Sequence, residues 1–286
     1  MPLSFFSNLQ HYRPGDRFYI NNIAKSLWNE RSPEERRNVY GKWVDLFRYE
    51  PDLHDADFCI LTYQWPYYIN QEIIYEAQEE VKAAHANGKP MVIFSGGDYP
   101  ANLPFENVIL FESAGYRSAP SLRYHSARPS TIANYLEVYC SGELQLRPKQ
   151  EEPIIGFCGL ASTAPLQSLY RKLKLKRQQP LYRNGVLIWE PPPFETSGFR
   201  TRVLHQFSNQ SGVHTNYILR QRYRAGVTED KSLQHPARVE FVNNILDSDY
   251  TVCMRGGGNF SVRFCETLCL GRIPIFIDTD CLLPFQ

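Results

Sequence analysis

MRGGGNFSVRFCETLCLGRIPIFID, from Met254 to Asp278, is the stretch on which the fold turns. Three glycines stand in a row behind an arginine, then Asn259 and Ser261, then Arg263 and Glu266 three residues apart. The residues just before and within it, YTVCMR (Tyr250–Arg255), form a short apolar run that reads as a buried strand. SVRFCETLCLG fits a helix with Ser261 at its cap, where a hydroxyl accepts a first-turn N–H. Val262, Cys265, Leu268 and Cys269 would make its buried stripe, with Arg263 and Glu266 one turn apart on another face. IPIFID then reads as a further strand. Strand, glycine loop, helix, strand is the order of a parallel sheet covered by helices.

The loop admits two readings. Gly256, Gly257 and Gly258 allow positive φ and close approach of the backbone. Free N–H groups and the helix dipole would then face outward, as an anion site requires. Arg263 would add charge-assisted hydrogen bonds to a diphosphate, and Glu266 could accept both hydroxyls of a ribose. The other reading is a tight turn with no ligand, in which Arg263 and Glu266 pair for a few tenths of a kcal/mol. The stretch is neither a Walker A loop, since no Lys-Ser/Thr follows the last glycine, nor a GxGxxG fingerprint.

Outward from this stretch the same alternation recurs. ADFCILTYQ (Ala56–Gln64) reads as a strand. QEIIYEAQEEVKAAHANGK (Gln71–Lys89) reads as a helix with Ile74, Ala77, Val81 and Ala84 at helical spacing and Gly88 as its stop. PMVIFSGGD (Pro90–Asp98) and ENVILFESAG (Glu106–Gly115) are further strands. SGELQLRPKQEEP (Ser141–Pro153) is charged, aperiodic and rich in turn formers, which marks a linker. After it the pattern restarts with the strand IIGFCG and the helix PLQSLYRKLKL. No helix can run through EPPPFE (Glu190–Glu195), and PARVEFVNNILDSD (Pro236–Asp249) is a helix with Pro at its start. The expectation is an α/β chain of two Rossmann-like α/β/α domains, residues 1–145 and 146–286, facing across a cleft. Ligands in such sheets bind beyond the carboxyl ends of the strands.

Bulk properties narrow the functional classes. The chain of 286 residues is 43% hydrophobic and 21% charged, enough for sizeable cores. A net charge of +1 argues against a nucleic-acid partner. The basic cluster YRKLKLKRQQPLYR (Tyr170–Arg183) is either a solvated helix face or an attraction to phosphates on an anionic membrane surface or a lipid-linked acceptor. Abundant Tyr suits packing or stacking on sugar rings. The seven cysteines show no CxxC pair and no His-Cys cluster, which points to a reducing compartment and no metal site. The N-terminus carries no signal peptide pattern, and no window approaches the about 18 apolar residues of a membrane span. A cytoplasmic location follows as the expectation, with peripheral contact at the inner face of the membrane as its extension.

SDYTVCMRGGGNFSVRFCETLCLGRIPIFIDTDCLLPF (Ser248–Phe285) resembles the signature of the exostosin-like glycosyltransferases, glycosyltransferase family 47. That signature is a strand ending in Arg-Gly, then Ser-x-Arg-x-x-Glu-x-Leu, a small-residue turn, an Ile-Pro-Val/Ile strand and Leu-Pro-Phe. DADFCILTY resembles the family's early strand, with its proline absent here. KPMVIFSGGDYP resembles the strand leading to an Asp-containing loop, and IIGFCG the start of the second domain. The resemblance implies a two-domain GT-B fold. It implies inverting transfer of a sugar from a nucleotide-sugar, usually a UDP-sugar, to a glycan or glycolipid acceptor, in cell-surface polysaccharide synthesis. It implies no essential metal or other cofactor, with the donor on the C-terminal domain and the acceptor on the N-terminal one.

Carried over residue by residue, Ser261 and the loop amides of Gly256, Gly257, Gly258 and Asn259 would hold the diphosphate. Arg263 and Arg255 would neutralise it, and Glu266 would bind the ribose. An inverting transfer also needs a base. Asp98, behind Gly-Gly at a strand end, is the first candidate and Glu112 the second; each also fits a structural role, an Asp in such a turn often bonding its own backbone. His125, His205, His214 and His235 are isolated and receive no role. Asp278 and Asp280 in IDTD superficially suggest a DxD metal motif and read instead as strand-end residues. The family's fold continues past Leu-Pro-Phe, whereas this chain stops at Gln286, so the resemblance implies an incomplete second domain. Two rivals remain: an inactive donor-binding relative or subunit, and a GDP-sugar-dependent enzyme such as a fucosyltransferase.

Overall fold

Buried parallel strands need apolar side chains on both faces, and the short runs of Val, Ile and Phe supply them. In the computed structural model β1 (Leu3–Phe6), β2 (Phe47–Tyr49), β3 (Phe58–Ile60), β4 (Met91–Ser95), β5 (Val108–Glu112) and β6 (Tyr124–Ala127) form one sheet. Their order is β2-β1-β3-β4-β5-β6, with every pair parallel. The described residues are 2–27, 32–118, 124–130, 132–161, 165–187, 189–222, 225 and 232–284; Phe285, which ends the stretch resembling the family signature, lies outside them.

Helices α1 (Asn22–Leu27), α2 (Pro33–Tyr40), α3 (Trp65–Asn70) and α4 (Ile74–Ala86) belong with this sheet. The capping box of α2 uses Ser32 and Glu35, each side chain accepting the other's backbone N–H. The helix expected from Gln71 begins at Ile74, because Glu72 takes a left-handed φ of 58° and breaks the chain after α3. Ala77, Val81 and Ala84 face inward as the periodicity requires, against a core that includes Phe5, Ile60, Ile93 and Leu110.

The second sheet holds β7 (Ile154–Leu160), β8 (His214–Arg220), β9 (Tyr250–Cys253) and β10 (Ile273–Phe276), again all parallel, in the order β10-β9-β7-β8. With it go α5 (Tyr135–Cys140), α6 (Pro165–Arg183), α7 (Thr196–Ser208), α8 (Pro236–Leu246) and α9 (Val262–Cys269). Val242 and Ile245 of α8 are fully buried, as are Phe157 and Val252 of the strands. The fold is thus mixed α/β with two parallel sheets.

The chain divides into two compact units, Met1–Arg128 with Leu282–Gln286, and Pro129–Cys281. The division falls earlier than the expected boundary after residue 145. The physical reason lies in α5, which is anchored to the second unit by the Tyr135 hydroxyl on Glu266 and the Tyr139 hydroxyl on the Leu233 carbonyl. The charged stretch 141–153 has no regular structure, yet it is tied down too: Arg147 pairs with Asp249 at 2.9 Å, and Arg272 donates to the Gln145 carbonyl at 2.8 Å.

Candidate functional site

Chain order in the second sheet reverses between β7 and β9, one leading outward to β8 and the other to β10. Such a switch point leaves a crevice beyond the strand ends, because the two following loops diverge. The loop that leaves β9 there is Met254–Ser261, the glycine stretch. None of Gly256, Gly257 and Gly258 takes a left-handed φ, contrary to the expectation that they serve that need. What they contribute is bare backbone. The amide N–H groups of Gly256, Gly257, Gly258, Phe260 and Ser261 have no hydrogen-bond partner among the described residues.

Side chains hold this loop in shape. Asn259 is fully buried; its Nδ2 donates to the Asp280 carbonyl, and its Oδ1 accepts from Arg255 Nη1 at 3.1 Å and Thr279 Oγ1 at 2.8 Å. Arg255, also buried, donates from Nη2 to the Gly257 carbonyl and lies 5.5 Å from the Phe194 ring centroid. Arg200 of α7 donates to the Arg255 carbonyl at 2.8 and 3.1 Å and to the Leu160 carbonyl at 3.0 Å. It therefore bridges the ends of β7 and β9 across the switch point. A Cβ on Gly256 would lie 3.5 Å from this guanidinium. Arg200 escaped the sequence reading because no motif surrounds it. Asp278 and Asp280 serve the following turn, Asp278 accepting from the Cys281 N–H and Asp280 adopting a φ of 63°.

Ser261 sits at the N-cap of α9, as expected, but its hydroxyl makes no cap hydrogen bond. The helix also presents the opposite face to the one its apolar periodicity suggests. Val262 and Leu268 are exposed, Cys265 and Cys269 half-buried, and the buried residues are Glu266 and Thr267. A hydrogen-bonded network turns the polar side inward. Arg263 lies over Phe157, 4.3 Å from its centroid, and donates to the Cys158 carbonyl at 2.7 Å and the Val252 carbonyl at 3.3 Å. Its Nε is buried with no partner among the described residues, and burial pulls its pKa below the usual arginine value. Gly159 makes the room: a Cβ there would stand 2.7 Å from the Arg263 guanidinium.

Arg263 and Glu266 do not hydrogen-bond each other. Glu266 accepts through Oε1 from the Tyr135 hydroxyl at 2.8 Å and from Arg238 Nη1 at 3.3 Å. Its other oxygen, Oε2, has no partner among the described residues, although the residue is only 6% exposed. Within the second unit, one turn of helix thus carries a fixed carboxylate with one acceptor oxygen to spare, behind a loop of open amides.

In the first unit Asp98 is exposed in the turn after β4. Glu112 ends β5, buried, and accepts from the Ala101 N–H at 2.7 Å while pairing with His125 Nε2 at 2.5 Å. His125, dismissed as isolated, is therefore held by a carboxylate. A second such pair was missed outright. The switch point of this sheet lies between β1 and β3, and the segment after β1 carries His11. Its Nδ1 meets Glu80 Oε1 at 2.7 Å. Glu80 is buried and also accepts from the Thr62 N–H and hydroxyl and the Tyr68 hydroxyl. The bond to Glu80 raises the His11 pKa against the opposing effect of burial. Glu80 lies 69 residues away, so nothing near His11 in the chain signals the pairing.

A groove of 560 Å³ beside β8 and α8, lined by Asn216, Ile218, Glu240 and Asn244 among others, takes in none of the glycine-loop residues. No helix among the described residues is long and apolar enough to cross a membrane. No protein-family model and no curated protein sequence matches this chain.

Proposed function

We propose that the chain is an inverting glycosyltransferase whose second unit binds the diphosphate and ribose of a nucleotide-sugar, a UDP-sugar in the first instance, for transfer to a glycan or glycolipid. The observation that carries this reading is the loop at the β7/β9 switch point. Its open amides match an oxyanion, Arg255 and Arg200 bring positive charge against it, and the spare oxygen of Glu266 suits a ribose hydroxyl. In the transfer an acceptor oxygen bonds to the anomeric carbon as the bond from that carbon to the phosphate oxygen breaks. The electron pair leaves with the diphosphate. Fixed amides and guanidinium groups stabilise that growing charge more than they stabilise the ground state. Ser261 donates from a hydroxyl that makes no cap hydrogen bond, and Arg263 adds charge behind the loop.

The acceptor proton needs a base. In the first unit His11 suits the task better than Asp98 or Glu112. Glu80 favours the tautomer with the proton on Nδ1, and the Nε2 lone pair meets only a long 3.5 Å contact from Asn8 Nδ2, which an acceptor hydroxyl would displace. Among the described residues Asp98 has no partner to orient it, and Glu112 already holds His125 and the Ala101 N–H.

The test is release of nucleoside diphosphate from UDP- and GDP-sugars, with chelator present and simple glycosides as acceptors. Acceptor-dependent UDP release that falls by about 10²-fold or more in His11→Asn supports the assignment. GDP-sugar turnover alone would move the donor class. A chain that binds a nucleotide yet turns over no nucleotide-sugar is a donor-binding relative, not an enzyme.

A further inference from the structure

Helix α6 is inside out. Leu166, Leu169, Tyr170 and Leu173 recur at i, i+3, i+4 and i+7, the spacing of a buried stripe, yet they are 81%, 54%, 69% and 52% exposed. Arg177 and Leu181, one and two turns past Leu173, follow on the same side and are exposed as well, so the stripe ends in a cation before its last leucine. The opposite side of the helix, which packs on the second unit, is held by polar contacts. Ser168 donates to Glu195, Arg171 pairs with the same carboxylate at 3.7 Å, and Gln179 Nε2 donates to the Pro191 and Pro192 carbonyls. The inner side also carries the half-buried Leu175, but four leucines, Leu166, Leu169, Leu173 and Leu181, face outward with no apolar environment for that outer face.

Charge identifies the environment. The helix carries Arg171, Lys172, Lys174, Lys176, Arg177 and Arg183 and no acidic residue. Lys174 and Lys176 flank the apolar stripe, one on each side, about 80° from its centre at 100° per residue. That geometry lets the lysine stems lie along an apolar layer while the ammonium groups reach anionic headgroups. A second copy of the same helix would bring six more cations against these six, so self-association through this face is electrostatically disfavoured. The helix is too charged to span a bilayer and long enough, at about 28 Å for 19 residues, to lie along one.

We propose that α6 is a membrane-surface helix that seats the second unit on an anionic bilayer, with Leu166, Leu169, Tyr170 and Leu173 entering the interface and the flanking lysines contacting headgroup phosphates. The surface acts whether or not the glycine loop binds a nucleotide, so each assignment can fail without the other.

The experiment is co-sedimentation of the full chain with phosphatidylcholine vesicles and with vesicles that also contain phosphatidylglycerol, at low and high salt. Three proteins are compared: wild type, Leu169→Gln/Leu173→Gln, and Lys174→Gln/Lys176→Gln. All four substituted side chains are exposed, so the fold should hold. The expected result is binding to the anionic vesicles only, weakened by salt, with each double variant reduced at least about tenfold in partition. Three results would overturn the proposal: no binding to anionic vesicles, equal binding to neutral ones, or wild-type binding by both variants. A dimer in light scattering that Leu169→Gln/Leu173→Gln converts to monomer would assign the face to a second copy instead.

Discussion

Tyr135→Phe isolates the contact that fixes Glu266. The hydroxyl is buried, donates to Glu266 Oε1 at 2.8 Å and accepts from Arg238 Nη1 at 2.6 Å. Removing it leaves Oε1 only the longer bond from Arg238 at 3.3 Å. Hydrogen bonds to charged groups contribute about 1.5–3 kcal/mol. Arg238 is one-third exposed and regains water, so one such bond is lost in effect, for a cost of about 2 kcal/mol. In thermal unfolding that is roughly 4–8 °C for a unit of this size. Tyr139→Phe is the matched control: it removes one neutral bond, to the Leu233 carbonyl, and should cost about 1 kcal/mol. Burial first, and then the Glu266 charge, raise the Tyr135 pKa, so the phenol stays protonated and the loss should not change between about pH 7 and 9. Urea unfolding of both variants, and of Tyr135→Phe combined with Glu266→Gln, measures it; the pair should couple by at least about 0.5 kcal/mol. A Tyr135→Phe loss no larger than that of Tyr139→Phe, or strict additivity with Glu266→Gln, would refute the reasoning.

Gly156→Ala would place a Cβ 2.2 Å from Ser248 Oγ and 3.2 Å from the Asn244 carbonyl, an overpacking that should cost about 1–3 kcal/mol in thermal melts. Gly256→Ala meets only an ordinary 3.5 Å contact and should stay within about 0.5 kcal/mol of wild type, so equal losses at the two sites would contradict the packing described. For His11 the folded pKa is raised, so the native state keeps its proton to higher pH than the unfolded chain does. That stabilisation is complete below the ordinary histidine value of about 6.5 and is lost as pH rises through the higher folded value. The stability difference between wild type and His11→Gln, read from urea midpoints, should therefore shrink between about pH 6 and 8; a constant difference would show that His11 does not titrate with folding.

The sheets were legible because buried parallel strands are short, nearly unbroken apolar runs, and YTVCMR, IIGFCG and PMVIFSGGD are such runs. Helix α4 was legible because Ala77, Val81 and Ala84 do face the core. The same logic failed on α9. Apolar periodicity shows that a helix has two faces, but not which one the fold covers. There the inward side is chosen by Tyr135, 131 residues away, and by the Cys158 carbonyl, 105 residues away. The charged stretch 141–153 reads as a linker for a related reason: its partners, Asp249 for Arg147 and Arg272 for the Gln145 carbonyl, lie 102 and 127 residues further along the chain. Of the site, Asn259, Arg255 and Glu266 stood in one readable stretch. Arg200 and His11 acquire their place only through packing, Arg200 by spanning two strand ends and His11 by meeting a buried Glu80.

The most direct test of the central claim is calorimetric titration of UDP and of GDP into the folded chain with EDTA present, on wild type and on Glu266→Gln. Glutamine keeps the volume and an acceptor for Tyr135 but removes the spare carboxylate oxygen. The account predicts that UDP binds in the chelator and that Glu266→Gln weakens it at least about tenfold, 1.4 kcal/mol, with unfolding still cooperative. If neither nucleotide binds, or UDP binds the two proteins equally, the glycine loop is a turn and Glu266 holds no ribose.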